Sequence, residues 1–470
     1  MIFNSAEYAL FLPLVLLLYW KLRHKHQNLL LLAASYLFYG WWDYRFLGLL
    51  AFTTLVDYWV GLALGRSQDP ESRKRLLLTS VAVNLAVLGS FKYFDFFVDS
   101  AASALSQVGL NPNLPLLQII LPVGISFYTF QSMSYAFDVY RQRIEPTSNL
   151  VDFAVYVAYF PQLVAGPIER AQALLPQITR ARPRPTSDKV ASGLVLILLG
   201  LFKKVAIADV MAPIVEASFS GTGTNSSVAL LMGLYAFALQ IYGDFSGYTD
   251  IARGTSRLMG IELMENFSQP YLSRNITAFW RTWHISLSTW LYDYLYIPLG
   301  GNRQGRWMTY RNLMLVMLLG GLWHGAAWTF VIWGGLHGLY LAVHKAYGAS
   351  VPRGDQGRFE LRHILPALAT FHLVCFAWIF FRAESLASAL SYIQNLFQFR
   401  LAIPNPDHLI LLAVAGITVL TIDILQRNGG RHDVMLQWRP SWQGLAYASW
   451  LLAIVVFSGG PLTPFIYFQF

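Results

Sequence analysis

The sequence predicts an all-α polytopic integral membrane protein, with about ten or eleven transmembrane helices plus re-entrant or broken helices. Three observations predict it. Of 470 residues, 55% are hydrophobic and only 13% charged, against about 25% charged in a soluble domain. The apolar residues come in blocks of about 18 to 25, the length that crosses a hydrocarbon core of roughly 30 Å. The connections between blocks alternate between basic and nearly uncharged.

The first block, Ala6 to Trp20, has almost no charge before it and Lys21, Arg23 and Lys25 behind it. A cleavable signal peptide carries its positive charges in front, so a retained first helix is expected. Further spans are expected at 28–42, 46–65, 76–98, 115–138, 190–216 and 227–251, and later at 363–381, 408–426 and 442–458. Loops 21–27, 66–75 and 141–145 are basic, whereas 99–114 carries only Asp99 and 217–226 no charge. Basic loops stay cytoplasmic, which turns the N-terminus outward. The net charge of +9 therefore reads as topology, not as a nucleic-acid surface.

Three segments break the alternation. Val151 to Ile168 is apolar, holds Pro161, Gly166 and Pro167, and has basic loops on both sides. Such a segment must leave and return to one face, and broken backbone at membrane depth survives only under protein cover or in a watery cavity. Ile285 to Leu299 repeats the pattern, and as a helix it would span only about 22 Å. Asn312 to His344 is too short for two full crossings, and Gly320, Gly321, Gly325, Gly334 and Gly335 interrupt it. Broken or shortened helices are expected there. In 382–398, Leu386, Leu390, Ile393 and Phe397 recur at helical spacing, as in a helix lying along the outer interface.

Ionisable groups within a membrane are costly and mark function. His24, His26, His363, His408 and His432 fall in loops or at span ends and are expected to be solvated. His344 and His372 are expected to be structural. His324, in Trp323-His324-Gly325, stands far from any charged neighbour. It reads equally as a neutral general base for acyl transfer or as a core histidine bonded to a backbone carbonyl. His284 opens the second broken segment, and Arg281 and Ser288 share its helical face at i−3 and i+4. Arg281 suits an anionic donor; an interfacial histidine without a role is the other reading of His284. His337 resembles His324 in context and is expected to be structural. Asp244 and Asp250 are expected to form structural ion pairs, or to orient a histidine or pair with Arg253 or Arg281. Cys375 stands alone, no two histidines are spaced i, i+4, and no metal site is expected. Hydrolase-elbow, nucleotide-loop and dinucleotide signatures are absent. Broken helices also suit a transporter or flippase, but no internal repeat is visible.

The ordered motifs resemble the membrane-bound O-acyltransferase (MBOAT) family, nearest its bacterial polysaccharide branch of alginate, cellulose and peptidoglycan O-acetyltransferases. They are Met1-Ile2-Phe3-Asn4-Ser5, Phe160-Pro161-Gln162-Leu163-Val164-Ala165-Gly166-Pro167, Asp244-Phe245-Ser246-Gly247-Tyr248-Thr249-Asp250, Arg281-Thr282-Trp283-His284, Trp323-His324-Gly325, Phe380-Phe381-Arg382-Ala383 and the ending Phe465-Ile466-Tyr467-Phe468-Gln469-Phe470. The resemblance implies one membrane domain, 1–470, with N-terminal helices at 1–145, a core at 146–345 and C-terminal helices at 346–470. It implies that His324 is catalytic, that His284 is the second histidine, and that His324 lies in a central tunnel across the bilayer. It further implies an acetyl-CoA donor on the cytoplasmic side and no bound cofactor. The acetyl group would cross the bacterial inner membrane to a periplasmic partner acetyltransferase, working with polysaccharide synthesis and export machinery. D-alanyl transfer to teichoic acid is the family alternative. Relatives carry Leu-Arg-Asp-Tyr where this chain has Leu291-Tyr292-Asp293-Tyr294, one positive charge fewer at the cytoplasmic mouth.

Overall fold

The computed structural model describes residues 1–110, 114–220, 226–348, 357–402, 405–459 and 464–466. Residues 221–225 of the uncharged loop and 467–470 of the C-terminal motif lie outside the described residues. Among the described residues every regular element is a helix, and the chain divides into two compact units.

The first unit, 1–186 with 255–263, contains α1 (Ala6–Tyr19), α2 (His24–Asp43), α3 (Leu47–Arg66), α4 (Pro70–Leu88), α5 (Phe94–Gln107), α6 (Ile125–Tyr140), α7 (Leu150–Ala158), α8 (Phe160–Leu163) and α9 (Ala171–Thr179). The expected span 115–138 is helical only from Ile125. Pro115 and Pro122 lack the amide hydrogen a helix needs, and Gly124 is left-handed at φ 76°. The amides freed by the non-helical stretch are partly recovered: Leu117 and Gln118 N–H donate to the Asp95 carboxylate at 2.7 and 2.9 Å. The expected loop from 99 begins later, because α5 runs on to Gln107. The Val151–Ile168 segment is broken at Tyr159, between α7 and α8. Residues 152–169 are buried throughout, and the Phe160 amide donates to the Ser35 hydroxyl at 3.0 Å. Protein therefore covers the break, as membrane physics requires.

The second unit, 187–254 with 264–470, contains α10 (Ser187–Phe202), α11 (Asp209–Phe219), α12 (Ser227–Leu258, whose last turn belongs to the first unit), α13 (Ile276–Thr282), α14 (Ile285–Leu291), α15 (Arg306–His324), α16 (Trp328–Ala346), α17 (Ile364–Arg382), α18 (Leu386–Leu396), α19 (Pro406–Gly429) and α20 (Pro440–Phe457). α15 and α16 form an antiparallel hairpin whose one break is at 325–327. The other glycines do not interrupt it, contrary to the sequence reading. A side chain on Gly321 would collide with the Phe330 carbonyl, and one on Gly334 with the Met317 carbonyl. They let the two backbones approach, the device by which helices associate in lipid, where the hydrophobic effect gives no drive.

Seven stretches among the described residues are long and apolar enough to cross a membrane, and Ala6–Tyr19 and Leu150–Leu163 are shorter apolar helices. The first of the seven, His24–Arg66, holds both α2 and α3, with a 3₁₀ turn at Tyr44–Phe46 between them. Their outer faces are greasy. On α20, Leu452 is 64% exposed and Val455 70%, a surface that water would penalise and lipid covers. In α18 Leu386 and Leu390 are exposed, as is Phe397 just after it, while Ala389 and Tyr392 are buried.

Candidate active site

His324 is the last residue of α15, where Gly325 turns extended and ends the helix. The ring is 4% exposed. It meets Trp323 and Trp333 edge-on, both at 5.0 Å between ring centres, and Phe381 at 5.3 Å. One side of it borders a cavity of about 670 Å³, also lined by Thr277, Trp280, Arg281, Leu287, Ser288, Leu291, Tyr292, Met317, Gly320, Trp333, His344 and Lys345. That volume is in the range of small-molecule sites. The cavity has two kinds of wall. Leu287, Leu291, Met317, Gly320 and Trp333 are apolar or small; Arg281, His344 and Lys345 are basic or polar. Trp333 and His344 are eleven residues apart on α16, roughly 16 Å along the helix axis.

His284 is held differently from the sequence reading. Its backbone is left-handed, φ 43°, so α13 and α14 do not form one helix. Arg281 and Ser288 line the cavity, but His284 does not share their face. Instead Asn266 grips the bend. Its carbonyl accepts from the Ile285 amide at 2.9 Å. Its side-chain Oδ1 accepts from the Ser286 amide at 3.1 Å and hydroxyl at 2.9 Å. The same oxygen lies 3.1 Å from His284 Nδ1, and an acceptor there fixes the ring proton on Nδ1. His284 is fully buried, edge-on to Phe245 at 4.7 Å, and its ring centre is 6.2 Å from that of His324.

His337 is also fully buried. Its Nδ1 accepts from the Trp280 indole at 3.2 Å, and its ring lies parallel to Phe279. It braces Trp280 and Trp333, two walls of the cavity. His344, set aside in the sequence as structural, lines the cavity with its Nδ1 2.9 Å from the Thr277 hydroxyl. A signal for it was present: Trp333, Leu341 and His344 repeat on one helical face. No local signal marked Asn266, which reaches the site from eighteen residues upstream of His284.

The two aspartates serve a separate ionic cluster. Asp250 meets Lys203 at 2.7 Å, His432 at 3.2 Å and Arg253 at 3.7 Å. Asp244 meets Lys204 at 3.0 Å and accepts from the Ile466 amide at 2.6 Å. His432 is thus packed against a carboxylate, not solvated. His363 is buried as well, its Nδ1 accepting from the Glu360 amide at 3.0 Å.

A multi-pass helical membrane protein with a histidine at the edge of a ligand-sized cavity is the class defined by this fold and site. Residues 36–387 match the MBOAT, membrane-bound O-acyltransferase family, and the chain belongs to that family. It is an O-acyltransferase. It is 42% identical to the probable alginate O-acetylase AlgI of Pseudomonas putida over 100% of both chains. With the protein of that name from Pseudomonas aeruginosa it shares 47% identity over 85% of this chain and 75% of the other. A peptidoglycan O-acetyltransferase of Helicobacter pylori is 38% identical over 84% of this chain and 80% of its own.

Proposed function

We propose that this protein takes an acetyl group from acetyl-CoA on the cytoplasmic side of the inner membrane and passes it across for O-acetylation of a secreted, alginate-like polysaccharide. The observation that carries the proposal is His324, a buried imidazole that borders a cavity walled by apolar, hydroxyl-bearing and basic side chains. The relatives' names point to the same acyl group and to polymer acceptors.

In this reading His324 is the general base. Its ring accepts the proton of the acceptor hydroxyl as that oxygen attacks the thioester carbonyl. The new C–O bond forms, the C–S bond breaks, and the departing thiolate takes the proton back from the imidazolium. A positioned base of this kind contributes about 10²–10⁴ in rate. Arg281 and Lys345 offer positive charge to the donor's phosphates. His284, held by Asn266 and away from the cavity wall, acts by positioning. A periplasmic acetyltransferase partner and the polymer synthesis and export machinery complete the modification.

In cells making the polymer, His324→Ala is expected to reduce its acetyl esters to background while the protein inserts at normal levels. Retained acetylation would remove His324 from the chemistry. Mass spectrometry of the transferred group reports D-alanyl transfer if that is the reaction. Solute movement in donor-free liposomes would instead mark a transporter.

A further inference from the structure

Two adjacent glycines on α15 have different surroundings. Gly321 faces the α16 backbone, with no room for a side chain. Gly320 faces the cavity, and a methyl group built on it meets one neighbour, the Leu291 side chain, at 3.2 Å. Gly320 precedes His324 by one helical turn on the same face, roughly 6 Å along the axis. Leu291 is the last residue of α14 and borders the cavity, as do Leu287, Val316 and Met317. The lining beside the imidazole is therefore apolar, and Leu291 lies so close over Gly320 that no further carbon fits between them. An acyl group whose carbonyl sits at His324 meets the Leu291 side chain with its alkyl part.

We infer that Gly320 and Leu291 set the length of the acyl group that this enzyme transfers. Leu291 stands where a longer alkyl group would go, and Gly320, bare beneath it, offers that space once Leu291 is cut back. The inference rests on the acyl-transfer reading above. Bond making and breaking are the same for acetyl and butyryl thioesters, so discrimination between them falls to the walls. The Leu291 wall has support: α14 passes directly into a π-helical turn at Tyr292–Tyr296. Around that turn Trp290 packs on Tyr294 at 5.2 Å and Tyr292 stacks on Tyr296 at 5.6 Å. Relaxing such a wall by a few carbons changes discrimination by about tenfold or more, since each methylene in an apolar pocket is worth about 10–200-fold.

Membranes carrying the whole polymer machinery, supplied with equimolar acetyl-CoA and butyryl-CoA, provide the test, with the polymer's acyl groups counted by mass spectrometry. Leu291→Ala is expected to raise the butyryl-to-acetyl ratio about tenfold or more over wild type. Leu291→Val, a smaller change that keeps an apolar branched side chain, should shift it the same way by less. Gly320→Ala should lower butyryl transfer more than acetyl transfer. An unchanged ratio in both Leu291 variants, with acetyl still transferred, overturns the inference and leaves the acyl-transfer reading standing. Equal loss of both acyl groups in Gly320→Ala would make Gly320 a packing residue and also overturn it. If the wild type transfers neither group, the acyl-transfer reading itself fails.

Discussion

At the residue scale the two histidines of the site have opposite surroundings. His324 borders open space, whereas His284 is sealed and tied through Asn266 to the bend that carries it. The arrangement predicts a kinetic split. Asn266→Ala removes the acceptor for three hydrogen-bond donors around the bend, leaving buried groups that cost about 1–3 kcal/mol each when unsatisfied. Turnover should fall about ten- to a hundredfold, less than in His324→Ala, with the donor KM nearly unchanged because Asn266 does not line the cavity. A KM increase with normal kcat would contradict the positioning role. Both histidines were legible as candidates because each stands in an apolar, tryptophan-rich stretch. Their geometry was not, because the left-handed backbone at His284 depends on a distant asparagine. His344 shared a helical face with Trp333 and Leu341, but that Thr277 and the cavity lay opposite that face was not legible.

At the element scale the α15–α16 hairpin holds the site, since one helix ends in His324 and the other carries Trp333. Its glycines were visible in the sequence but misread as breaks. A glycine that breaks a helix and one that admits a neighbouring backbone look alike until the partner helix is known. Only Gly325, followed by extended Ala327 before α16, ends a helix. Gly334→Val should therefore clash with the Met317 carbonyl and cost about 1–3 kcal/mol by overpacking. Gly335→Ala should be tolerated, because its added methyl meets only Leu318 at an ordinary 3.5 Å. Thermal unfolding in detergent checks both: a lower midpoint for the first and an unchanged or higher one for the second. Equal destabilisation would mean that the helices are not held by close approach at Gly334. The broken α7–α8 segment was the opposite case, since Pro161, Gly166 and flanking arginines announced it, and the covering contact from Ser35 matches the physical requirement.

At the scale of the whole molecule, hydropathy and loop charge were enough to read a multi-pass helical membrane protein. Span boundaries were less legible, because π-helical turns at 89–93 and 203–208 join neighbouring helices and the prolines before α6 shorten it. The charge pattern makes a prediction about orientation. With Cys375 changed to alanine, a cysteine at Gln68, in a basic connection, should react with membrane-impermeant thiol reagents only from the cytoplasm. One at Gln107 should react only from outside; reaction of both from one side would contradict the topology. The proposed chemistry requires His324 to meet the donor's acyl carbon in the cavity. A structure with an unreactive acetyl thioester analogue decides this. The acyl carbonyl is expected within about 3–3.5 Å of the His324 ring, with the phosphate-bearing tail toward Arg281 and Lys345. An analogue bound away from this cavity, leaving His324 without contact, would contradict it.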